Sequence, residues 1–219
     1  MMKEIHEQPK AILDTMNSKI KDGRIDLSDM GLSEEDIKNI SQVFIVACGS
    51  AYHTGVVTQY VMEDLARIPV RVELASEFRY RRPILNKNDL VIVVSQSGET
   101  ADTLAGLRLA KEQGVKTLGI VNVVGSSIAR EADNVFYTLA GPEIAVASTK
   151  AYSVQMAAMY LIGCRLGLVK GIYSEDRAKE FIGKLLGTIP VIEETLLQAD
   201  EVKACLLYTS PSPRDRSVS

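Results

Sequence analysis

The sequence is short of the side chains that build metal centres and disulfide frameworks. Its three cysteines, Cys48, Cys164 and Cys205, are odd in number, widely spaced and without a CxxC pair, and it has only two histidines, His6 and His53. Such a set predicts neither a zinc site nor a disulfide framework, and no metal or other cofactor is expected. A basic excess is also missing: the formal net charge is -3 and no cluster of Lys and Arg is dense enough to suggest a nucleic-acid face. Nucleic acid is therefore not an expected partner. No apolar stretch approaches the ~18 uninterrupted residues of a membrane span, and the opening MMKEIHEQPKAI lacks the apolar centre of a signal peptide. The expectation is a chain that enters no membrane and works in the cytoplasm.

What is present is enough apolar material for one sizeable core: 46% of 219 residues are hydrophobic and 24% charged. Residues 1–42 read as a helical lead-in, with Ile5, Ile12, Leu13, Met16 and Ile20 at helical spacing and a loop around Gly23 and Gly31. From Val43 the pattern changes to five short apolar runs, Val43 to Ala47, Val70 to Leu74, Leu90 to Val94, Thr117 to Val121 and Val135 to Leu139. Several are apolar throughout rather than alternating, as strands covered on both faces must be. Helical segments separate them: Tyr52 to Arg67 stops before Pro69, and Thr100 to Gln113 carries Leu104, Leu107 and Ala110 and stops at Gly114. The prediction is an α/β fold, doubly wound, with a five-stranded, mostly parallel sheet between helical layers, as in flavodoxin. Thr149 to Leu166 and Ala178 to Leu197 extend it as helices, with Pro190 expected to kink or break the second. Residues 43–204 make the main domain. From Cys205 the Ser/Pro/Arg stretch to residue 219 has no face to bury and is expected to be disordered and of foreign origin.

Ligands of an open parallel sheet bind beyond the carboxyl ends of the strands. After LVIVV come Ser95, Gln96, Ser97, Gly98, Glu99 and Thr100 and then a helix. Three hydroxyls and an amide there meet the free N–H groups and positive dipole end of a helix, which can cradle a phosphate. No GxxxxGK[ST] occurs, so a sugar phosphate fits better than a triphosphate. Helix capping alone would account for part of this pattern. A second turn, Cys48, Gly49, Ser50, Ala51, Tyr52 and His53, is a candidate second clamp, with Cys48 read as a small packed hydrophobe and His53 as facing solvent or a neighbouring helix. A third loop, AVASTK from Ala145 to Lys150, offers Ser148 and Thr149 either as ligand contacts or as simple helix caps. Glu99 reads as a helix-start charge and not as a base.

The segments ACGSAYHTG, ELASEFRYR, SQSGETADTLAGLRLAK, NVVGSSIAREAD and EIAVASTKAYSVQ resemble, in order and spacing, the first sugar-isomerase (SIS) half of the isomerase part of the glutamine:fructose-6-phosphate aminotransferases, over roughly residues 3 to 204. The resemblance implies that Ser95, Gln96, Ser97 and Thr100 hold the phosphate of fructose 6-phosphate, assisted by Gly49 and Ser50, and that Val146 and Ser148 contact the sugar. It implies amination and isomerisation to glucosamine 6-phosphate by a homodimeric enzyme. The catalytic residues would lie in a second sugar-isomerase half, and ammonia release in a glutaminase domain, so no catalytic residue is expected in this stretch and the chain alone is expected to be inactive. Ala51 stands where the family often has Ser. The competing readings are another phosphosugar isomerase or deglycase with this domain, or a phosphosugar-sensing module. A DNA-binding sensor would need a two-helix unit and a basic surface that residues 1–42 do not show.

Overall fold

A computed structural model describes residues 1–209. The chain begins with α1 (Met2–His6) and α2 (Gln8–Asn17), a short hairpin of β1 (Ile20–Lys21) and β2 (Arg24–Ile25), a 3₁₀ turn (Ser28–Met30) and α3 (Glu34–Asn39). Strands and helices then alternate: β3 (Gln42–Ala47), α4 (Gly49–Ala66), β4 (Val70–Leu74), α5 (Ala75–Tyr80), β5 (Asp89–Ser95), α6 (Ala101–Glu112), β6 (Lys116–Val121), α7 (Ser127–Glu131) and β7 (Asn134–Tyr137). Three helices follow, α8 (Lys150–Val169), α9 (Glu175–Leu197) and α10 (Ala199–Thr209).

The main sheet is parallel throughout, in the order β4-β3-β5-β6-β7. Its apolar runs are continuous because each strand feeds two cores. Val43, Ile45 and Ala47 of β3, with Leu90, Ile92 and Val94 of β5, join the cluster that holds α2, α4, α8 and α9. Phe44 and Val46, with Val91 and Val93, join a second cluster with Phe78 of α5, Leu107 of α6 and Ile128 of α7. All of these side chains are essentially inaccessible, and each buried Val, Ile, Leu or Phe contributes about 1.5–3 kcal/mol relative to exposure. The five expected runs each meet one strand, but the last is shorter than the Val135 to Leu139 expectation. It stops at Tyr137, and the Leu139 N–H donates to the Thr15 hydroxyl at 3.0 Å instead of extending the ladder.

Residues 1–42 fold into the domain and do not stand apart from it. Ala11, Ile12 and Met16 of α2 are buried in the same cluster as α8, the one described helix long and apolar enough to cross a membrane, and it forms the centre of this core. The expected loop at Gly23 is a tight hairpin turn: Asp22 and Gly23 have φ of 51° and 71°, the two positive values that a type I′ Asp-Gly turn requires. Pro190 does not break α9, which runs unbroken from Glu175 to Leu197. Pro190 is exposed, so solvent can serve the carbonyl that loses its N–H partner. Cys205 to Thr209, expected to begin a disordered tail, continue α10, because four more residues without Pro or Gly follow Cys205 before the Ser/Pro stretch. The rest of that tail lies outside the described residues.

Candidate functional site

In the strand order, β3 and β5 are neighbours, yet α4 leads from β3 to β4 on one side while α6 leads from β5 to β6 on the other. The connections part there and leave a crevice beyond the strand ends. A cleft of about 330 Å³ occupies it. Cys48, Gly49, Ser50 and Ala51 form one wall, Val94, Ser95, Gln96, Ser97 and Thr100 a second, and Glu143, Ala145, Val146 and Ser148 a third, with Gln155 of α8 behind. The three turns singled out in the sequence thus meet at one place, and all eight expected contact residues line it. Val146 does so from the rim, its side chain fully exposed.

The β5–α6 turn is set by its own hydrogen bonds. Ser95, 3% exposed, shares a 2.8 Å hydrogen bond with the Thr100 hydroxyl and accepts the Gly98 N–H at 3.0 Å. Ser97 Oγ accepts the Glu99 N–H at 3.2 Å, which leaves its O–H proton free to donate outward. Gly98 has φ of +68°, and a Cβ there would sit 2.0 Å from Ser126 Oγ. Only glycine fits, since both the backbone angle and the space exclude a side chain. Its carbonyl accepts the Ile128 N–H at 3.0 Å, tying the turn to α7. Glu99 points the same way: it accepts the Ser127 N–H at 2.7 Å, and the Ser127 hydroxyl, followed by this N–H, holds its carboxyl below the ordinary value. Glu99 does not line the cleft.

No Lys or Arg lines the cleft among the described residues. Attraction for an anion therefore rests on hydroxyl donors and on the starts of α4 and α6, whose first N–H groups have no partner within the helix. Cys48 is half-buried at the wall, packed against the Phe44 cluster; His53 is exposed with its ring 5.4 Å from that of Tyr52.

Two liners were not foreseen. Glu143 accepts from the Ser148 hydroxyl at 2.9 Å, the Thr149 N–H at 2.9 Å, the Ala151 N–H at 3.2 Å and the Thr149 hydroxyl at 3.4 Å. Its signal was its place in EIAVASTKAYSVQ, one residue before the apolar Ile144. Gln155, 4% exposed, hydrogen-bonds the Thr54 hydroxyl at 3.4 Å; a lone amide in the otherwise apolar run of α8 was the clue. From outside, Glu4 of α1 accepts the N–H groups of Ile144 at 2.6 Å and Ala145 at 3.2 Å, and buried Lys150 pairs with Glu7 at 2.6 Å.

The parallel α/β layer with a hydroxyl-lined cleft at its switch point goes with the family match: the chain belongs to the SIS domain family, whose match covers residues 36–164. It is similar to glutamine--fructose-6-phosphate aminotransferase [isomerizing] of Clostridium tetani, 53% identical over 98% of this chain and 35% of that protein. The same enzyme of Caldanaerobacter subterraneus is 57% identical over 84% of this chain and 31% of its own length. Among solved structures, the C-terminal domain of glucosamine-fructose-6-phosphate aminotransferase from Francisella tularensis superimposes with a TM-score of 0.92 at 36% identity, covering 97% of this chain and 60% of that one. The chain spans about a third of the length of the curated relatives it matches.

Proposed function

We propose that this chain is the phosphosugar-binding half of the isomerase region of a glutamine–fructose-6-phosphate aminotransferase, and that its cleft holds fructose 6-phosphate. The observation that carries the reading is the convergence of Ser95, Gln96, Ser97 and Thr100 on one cleft at the start of α6. These groups receive the phosphate; Gly49 and Ser50 close over it from the start of α4, and Val146 and Ser148 meet the sugar. The whole enzyme then aminates and isomerises the sugar to glucosamine 6-phosphate, as a cytoplasmic homodimer.

The chain alone binds without turning over. Moving a proton between C1 and C2 needs a base within hydrogen-bond reach. Glu143 is the one carboxylate lining the cleft among the described residues, and its roughly four lone-pair sites are matched by four donors of its own chain. Calorimetry tests the binding: fructose 6-phosphate should bind at least about tenfold more tightly than fructose. Comparable affinities for the two would overturn the reading. Incubation with fructose 6-phosphate and ammonium should form no glucosamine 6-phosphate above background; turnover would show that this half contains a competent base.

A further inference from the structure

We propose that Glu143 sets the direction in which a phosphosugar lies in the cleft, by closing the α8 end to phosphate and turning Ser148 into an acceptor for a sugar hydroxyl. The proposal rests on the phosphosugar reading above and adds a specificity-determining residue to it. Three long helices, α4, α6 and α8, begin at the cleft, and by dipole and free N–H groups alone each start is attractive to an anion. The α4 start has no acidic residue in its first turn, and the one at the α6 start, Asp102, accepts from Arg79 at 3.1 Å and does not line the cleft. The third already holds an anion of the chain itself: Glu143 takes the N–H groups of Thr149 and Ala151. Just before it, Glu4 takes those of Ile144 and Ala145. A phosphate arriving there meets a carboxylate that already takes two amides of the α8 start, so it goes to the β5–α6 turn.

The same carboxylate fixes what Ser148 can do. A hydroxyl has one proton to donate, and that of Ser148 is directed at Glu143 Oε2, 2.9 Å away. Its remaining lone pairs can only accept. The matching group on a ligand is a donor, a sugar hydroxyl, and not a phosphate oxygen. Glu143 thus acts as a positioning residue through Ser148 and the α8 start, and the two ends of the cleft acquire opposite hydrogen-bonding sense.

Calorimetry on the full chain tests this with inorganic phosphate and fructose 6-phosphate as the probes, on the unchanged protein, Glu143→Gln, Glu143→Ala and Ser148→Ala. The unchanged chain should bind one phosphate. Glu143→Gln should weaken fructose 6-phosphate at least about tenfold more than it weakens phosphate, Ser148→Ala should shift the same ratio in the same direction, and Glu143→Ala should admit a second phosphate per chain. Parallel weakening of both ligands in Glu143→Gln, or an unchanged ratio in both Glu143→Gln and Ser148→Ala, overturns the proposal while leaving the phosphosugar reading intact. Should Glu143→Gln fail to fold, the Ser148→Ala ratio decides alone. If the unchanged chain binds neither probe, the phosphosugar reading fails and this inference with it.

Discussion

The two loops that face each other across the cleft are built in opposite ways. The β5–α6 turn is held by contacts within six residues, by a positive-φ glycine and by the backbone of α7, and the Ser97 proton, one proton of the Ser95–Thr100 pair and the helix start remain available. The 140–149 loop is held by carboxylates, one of them on α1 some 140 residues earlier in the chain, and its Ile144, Ala145 and Thr149 amides are consumed in being held. A rigid local turn with free donors suits a dianionic phosphate. A loop stapled by acidic groups offers acceptors and suits neutral hydroxyls.

The comparison can be broken most severely at Gly98. Gly98→Ala forces a Cβ into Ser126 and a left-handed backbone onto alanine; it should destabilise the fold by about 3 kcal/mol and abolish phosphate binding, as denaturant unfolding and calorimetry will show. Ser97→Ala keeps the turn but removes one outward donor, and should weaken fructose 6-phosphate about tenfold, whereas Cys48→Ser, which alters packing alone, should change it less than about twofold. Equal effects would remove the turn from the site.

On the other wall, Glu4→Ala should leave phosphate binding at the β5–α6 turn in place while the Ile144 and Ala145 amides exchange with solvent about tenfold faster. The pH dependence has a definite sign. The Ile144 amide, followed by the N-terminal amine, lowers the Glu4 carboxyl from 4.5 to about 2, so its contribution is complete above pH 4.5 and is lost as pH falls toward 2. Protection of this loop's amides, measured by NMR as exchange relative to the intrinsic rate at each pH, should fall from pH 5 to pH 2.5 in the unchanged chain and stay flat in Glu4→Ala. Ala51→Ser, which adds a hydroxyl at the cleft wall, should have a small effect and tighten fructose 6-phosphate about threefold or less.

The same contrast explains how much could be read in advance. The β5–α6 turn was legible because its parts are consecutive: an apolar run, a Ser/Gln/Ser/Gly/Glu/Thr turn and a helical period follow one another in SQSGET and its flanks. Of the kink or break expected at Pro190, the break does not occur, because a proline's cost depends on whether its side of the helix is wet, and exposure is not a local property. The Asp-Gly hairpin at residues 22–23 was legible in principle, since that pair is a turn signal in its own right. It was passed over because the strands it joins are only two residues long.

By itself the sequence determined the five strands of the main sheet and their order along the chain, their parallel arrangement and the three turns that supply the cleft, because continuous apolar runs and Gly/Ser-rich helix starts carry those instructions locally. Only the tertiary structure decided which helix starts remain free to bind an anion. That choice depends on where Glu143 and Glu4 put their charges, and a carboxylate's partners are set by distance in space, which sequence separation does not encode.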